Sequence, residues 1–108
     1  MPISFVGSCH NLAQLLDKNI RLGIRQKGSP KCRFLNKIEV QPILKATAKR
    51  IAQAEVAKLQ QEGHVVQNPN DPIFSLDHVL DQQTFTLLKD EFKRRYSSFD
   101  RVVQKRRS

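Results

Sequence analysis

The chain reads as a mainly α protein: a small single domain spanning residues 1–108, with about three helices around one core and a frayed C-terminal end. Three observations predict this. Two stripes of apolar residues recur at helical spacing, in 42–62 and 82–104, and a partial one occupies 11–25. Leu, Ile, Val and Phe supply 32 of the 108 residues, well above the roughly one-fifth below which chains stay disordered. The length suits one domain and leaves no room for two.

The first helix is expected from Asn11, a good N-cap, with Gln14 placed to reach back as in a capping box. Leu12, Leu16 and Ile20 follow at helical spacing, with Leu15 beside them. Beyond Asn19 the period turns ambiguous. Ile20, Leu22 and Ile24 alternate with polar residues and Gly23, and Lys27-Gly28-Ser29-Pro30 is a turn signal. Residues 20–34 therefore fit a short basic β-hairpin or a helix end followed by a loop, and the helix end to residue 25 is the favoured reading.

The second helix is expected over 42–62. Pro42 suits a first turn, and Leu44, Ala48, Ile51, Ala52, Val56 and Leu59 form the apolar stripe. Gly63 stands where a left-handed residue closes a helix. The segment from His64 to Pro72 is a connection, because Asn68-Pro69 and Asp71-Pro72 interrupt helix. Ile73 and Phe74 are expected to pin it, and Ser75 to cap a short turn through Leu76, Val79 and Leu80. Asp81 is the expected N-cap of the third helix, over 82–104. Its stripe runs Phe85, Leu88, Phe92, Tyr96, Phe99, Val103. Leu12, Leu16, Leu44, Ala48, Ile51, Leu59, Leu88 and Phe92 are the expected core.

Charge carries the functional reading. Nineteen Lys and Arg face ten Asp and Glu, for a net charge of +9. Residues 64–88 hold only the acids Asp71, Asp77 and Asp81, whereas residues 89–108 hold eight bases against three acids, a net +5. Guanidinium and ammonium groups bind phosphate oxygens, so a clustered excess is the footprint of nucleic-acid contact. Three clusters qualify: Lys27, Lys31, Arg33 and Lys37, with Arg21 and Arg25 before them; Lys45 and Lys49, with Arg50 beside them; and Arg94, Arg101 and Lys105. On a continuous last helix the third set lies on one face, with Ser97 and Ser98, opposite the aromatic stripe. Lys45 and Lys49 are like charges one turn apart, a small cost that an anion or an acid such as Asp77 or Asp81 relieves.

The expected function is that of a nucleic-acid-associated accessory protein, non-enzymatic, gripping the phosphate backbone of DNA or RNA. The alternative is a helical protein–protein interaction module, or a homodimer. There Phe85, Tyr96 and Phe99 dock into a larger assembly and the basic tail meets an acidic partner.

Several classes are set aside. Cys9, His10, Cys32, His64 and His78 show no metal-ligand spacing. No nucleophile motif or phosphate loop is present, so neither an enzyme nor a cofactor is expected. No zinc-finger or RNP-type signature singles out a DNA- or RNA-binding family. No apolar run approaches the ~18 residues of a membrane helix. The N-terminus lacks a secretory pattern and the two cysteines fit reduced thiols, so a cytoplasmic location is expected.

Overall fold

The computed structural model describes residues 6–7, 9–65, 74–75 and 82–106, with side chains over 12–65 and 82–106. In chain order these form β1 (Val6–Gly7), α1 (Cys9–Asn19), β2 (Ile20–Gln26), β3 (Arg33–Phe34), α2 (Lys37–Gln61), β4 (Phe74–Ser75), α3 (Gln82–Arg95) and β5 (Phe99–Lys105). The described residues thus make a small mixed α/β fold, rich in helix but not purely helical. Three helices accompany an antiparallel sheet of order β3-β2-β5, and β1 pairs with β4 apart from it. Ser75 therefore lies in a strand. The turn expected through Leu76, Val79 and Leu80, and the Asp81 cap, lie outside the described residues.

The first correction falls at residues 20–34, which form the hairpin and not a helix end. Helix α1 stops at Asn19, whose side-chain Nδ2 donates to the Leu15 carbonyl at 2.7 Å. Strand β2 begins at the next residue. Ile20, Leu22 and Ile24 are buried, while Arg21 and Arg25 are exposed. A helix would spread those three apolar residues around its circumference, whereas a strand puts all of them on one face. The turn closes with Ser29 N–H donating to the Gln26 carbonyl at 2.9 Å, and Gly28 takes the left-handed φ of +85° that such a turn favours.

Gly23 marks a close approach. A Cβ built there would sit 2.7 Å from Cys32 Sγ and 3.2 Å from Phe34 Cδ1. Glycine inside a strand pattern often has this meaning. Gly23→Ala is expected to cost about 1–3 kcal/mol through overpacking, measured by denaturant unfolding. Adding Cys32→Ala, which removes the nearest atom, should recover part of that loss.

Helix α2 starts five residues earlier than Pro42. Asn36 is its N-cap: the Asn36 side chain accepts from Glu39 N–H at 2.8 Å, and the Glu39 carboxylate accepts from Asn36 N–H at 3.1 Å. This reciprocal pair fixes the helix start. Pro42 lies inside the helix rather than at its first position. The C-terminal end agrees with expectation. Gly63 takes φ +87°, His64 N–H reaches the Leu59 carbonyl at 2.9 Å, and Gly63 N–H reaches the Gln60 carbonyl at 3.1 Å. That is a Schellman closure.

The second correction falls on the last helix, which ends at Arg95. A turn through Ser97 and Ser98 leads into strand β5, and Phe99 N–H donates to the Tyr96 carbonyl at 3.2 Å. Arg101 Nη1 closes this turn by donating to the Tyr96 and Phe99 carbonyls at 2.8 and 2.9 Å. Strand β5 then pairs with the whole of β2, from Ile20 opposite Lys105 to Gln26 opposite Phe99. Val102-Val103 suits a strand better than a helix.

The core lies between the inner face of the sheet and the three helices. Leu12 and Leu16 of α1, Ile20, Leu22 and Ile24 of β2, Ile43, Leu44 and Ala48 of α2, and Leu88 and Phe92 of α3 form one buried cluster. Of the expected core residues, Ile51 and Leu59 are only half-buried. Val40, Ile43 and Thr47 are buried on the same side of α2.

Candidate nucleic-acid interface

The structure separates basic side chains used to hold the fold from those left to solvent. Arg33 makes a bidentate pair with Glu39, its two terminal nitrogens 2.8 and 3.1 Å from the carboxylate oxygens. The Arg33 bonds, together with the Asn36 N–H, hold the Glu39 carboxyl below the usual carboxylate range. Arg50 bridges α2 to α3, with Nη1 2.6 Å from Asp90 and 3.3 Å from Glu91. Its hydrogen bond is the main cause that keeps the Asp90 carboxyl below its ordinary value. These acids answer Arg50, whereas Asp77 and Asp81, the acids expected near Lys45 and Lys49, lie outside the described residues. Arg94 lies 3.4 Å from the same Asp90, one turn back on α3. Arg25 lies 3.6 Å from Asp100.

The third sequence cluster is dispersed. Arg94 stands on a helix, while Arg101 and Lys105 fall on the inner-facing row of β5, in register with Ile24 and Ile20. Arg101 is committed to two carbonyls. Lys105 Nζ lies 5.3 Å from the centre of the Phe85 ring. The expected shared face of Arg94, Arg101 and Lys105 does not exist, because the helix that would have carried it stops before Arg101. For the same reason Arg101 is not a neutral surface position.

The aromatic residues expected to meet a partner are packed inward. Phe85, Tyr96 and Phe99 are half-buried against the core. Tyr96 stands edge-on to Phe92 and to Phe99, at 5.6 and 6.1 Å between ring centres.

Two places bring basic residues together. Arg25, Lys31 and Arg33 line an open depression of about 270 Å³ beside the hairpin, with Ser29 and Phe99. Lys18, Lys37 and Lys45 line a cleft of about 330 Å³ between α1 and α2, with Gln14 and Gln41. Asp17 is the one acid among its lining residues. Lys49, one turn beyond Lys45, is also exposed. None of Lys18, Lys31, Lys37, Lys45 or Lys49 has an ion pair among the described residues. Arg33 and Lys37 are four residues apart, a span of at most about 14 Å. The depression and the cleft are thus linked by a short stretch of chain.

Lys18 stands in the last turn of α1, where the dipole favours a cation, but the fold does not reward Lys37, Lys45 or Lys49. Lys37 occupies the first position of α2, where the helix dipole disfavours a cation, and Lys45 and Lys49 repel each other. An anion relieves both costs. Sequence reasoning missed Lys18, and it counted Lys37 with the hairpin cluster; the Asn36-x-x-Glu39 cap is the signal that places Lys37 at a helix start.

No helix among the described residues is long and apolar enough to cross a membrane. The chain matches no family model, no curated protein and no solved structure.

Proposed function

We propose that the protein is a non-enzymatic nucleic-acid-binding accessory protein that grips the phosphate backbone through the hairpin and the α1–α2 lysines. One observation carries this reading: Lys18, Lys37 and Lys45 converge on a cleft where, among the described residues, Asp17 is the one acid and none of the three lysines has an ion pair. Lys49 extends the positive surface along α2, and Arg21, Arg25 and Lys31 form a second basic group on the hairpin. Such contacts position a strand without reading its sequence, so little sequence preference is expected.

The test is the combined variant Lys18→Gln, Lys37→Gln, Lys45→Gln, Lys49→Gln. All four side chains are exposed, so each change should alter stability by no more than about 0.5 kcal/mol. Binding to DNA or RNA should weaken alike on every sequence. The slope of log K against log salt should flatten by up to about 3, as phosphate contacts are lost. An unchanged slope and affinity would remove these lysines from the interface.

A further inference from the structure

The helices cover only one side of the three-stranded sheet. Ile20, Leu22 and Ile24 face them in the core. Strand alternation and register put Arg21, Arg25, Phe34, Val102 and Gln104 on the opposite side. Arg21, Arg25 and Gln104 are exposed there, and Phe34 and Val102 are half-buried. Phe34 lies over Gly23, and the Arg21 guanidinium lies 3.7 Å from the centre of its ring. The face therefore presents a flat guanidinium–phenyl stack flanked by positive charge. Its only acid, Asp100, sits 3.6 Å from Arg25. Lys27 and Lys31 of the same hairpin have no ion pair among the described residues.

We propose that this outer sheet face binds single-stranded nucleic acid, a base stacking on the Arg21–Phe34 pair while Arg25 takes a neighbouring phosphate. The inference rests on the nucleic-acid reading above and names its substrate class. The positive charge selects a polyanion. The planar stack selects one whose aromatic faces are free. A duplex hides its base faces within the helix, whereas a single strand can splay them onto aromatic rings and guanidinium planes. Arginine suits this role and lysine does not, because only the guanidinium is planar.

The experiment compares a short labelled oligothymidine strand with a duplex of the same length, by fluorescence anisotropy at one salt concentration. The strand should bind more tightly than the duplex. Arg21→Lys keeps the exposed charge and loses the plane, so it should weaken strand binding by about 5- to 100-fold, the usual range for loss of one base stack. Its effect on duplex binding and on the salt slope should be small. Phe34→Ala should act in the same direction and Phe34→Tyr should restore binding, with a thermal melt confirming that each variant folds. Equal or tighter duplex binding, or strand binding indifferent to Arg21→Lys, overturns the single-strand platform and leaves the phosphate-binding reading standing. Failure of both probes to bind more tightly than about 10⁻⁴ M at physiological salt overturns both.

Discussion

Phe92→Ala is expected to destabilise the protein by about 3–5 kcal/mol, the usual cost of emptying a phenyl site in a packed core. The ring is fully buried, and the cluster around it draws on α1, β2 and α2 as well as α3. Tyr96 meets it edge-on at 5.6 Å and also contacts Phe99 at the start of β5. Removing the ring therefore takes away both transfer energy and the support on which the turn from α3 into β5 rests. Denaturant unfolding measures the loss. A cost below about 1 kcal/mol would mean that the ring is solvated and the core is assembled otherwise.

Arg50→Met is expected to cost about 1–3 kcal/mol, the penalty for leaving a charged acceptor without its donor inside the protein. Glu91 is 7% exposed, and Arg50 is the donor that joins it and Asp90 to α2. Methionine keeps much of the aliphatic stem, so the loss isolates the charge. The cost stays below that of breaking a fully buried pair, because the Arg50 and Asp90 side chains are 34% and 44% exposed and water replaces part of the bond. Adding Glu91→Gln should recover some stability. The pH dependence has a fixed sign. Asp90 titrates below its ordinary value in the fold, so its contribution is full above the carboxylate range and is lost as pH falls through the lowered value. In Arg50→Met that acid-sensitive part should shrink. Chemical unfolding across the acid range reads both effects.

Much of the helical framework is legible in the sequence. Leu44, Ala48, Ala52 and Val56 mark the buried side of α2, and Gly63 marks its end by demanding a left-handed residue. Leu12, Leu16, Leu88 and Phe92 are buried as their spacing implies. The errors at residues 20–34 and in the last helix share one cause. Residues four apart lie on one face both of a helix and of a strand, so Phe99 with Val103, and Ile20 with Ile24, do not separate the two. The deciding residues are those between: Leu22 is buried with Ile20 and Ile24, and Arg101 falls in line with Phe99 and Val103. Ser97-Ser98 was a turn signal submerged in an aromatic stripe that ran past it.

The site is less legible than the fold. A charge count finds an excess of bases, but it does not tell which bases the fold consumes. Arg33, Arg50 and Arg101 look like surface cations in sequence, yet each is tied to a carboxylate or a carbonyl, that of Arg50 lying 40 residues away. Lys18 and Lys37 are 19 residues apart and meet across one cleft because α1 and α2 pack together. Arg21 and Phe34 are joined by the hairpin register. Spacing along the chain carries none of these associations.

The most direct test of the central claim is the salt dependence of binding by the unaltered protein. Equilibrium affinity for a random-sequence duplex would be measured across a range of monovalent salt. If four to six of the hairpin and α1–α2 cations neutralise phosphates, log K should fall linearly with log salt, at a slope of roughly −4 to −5 on duplex DNA and about −3 to −4 on a single strand. Affinity that is flat in salt, or no affinity tighter than about 10⁻⁴ M for either form at physiological salt, would contradict the account and assign the basic surface to an acidic protein partner.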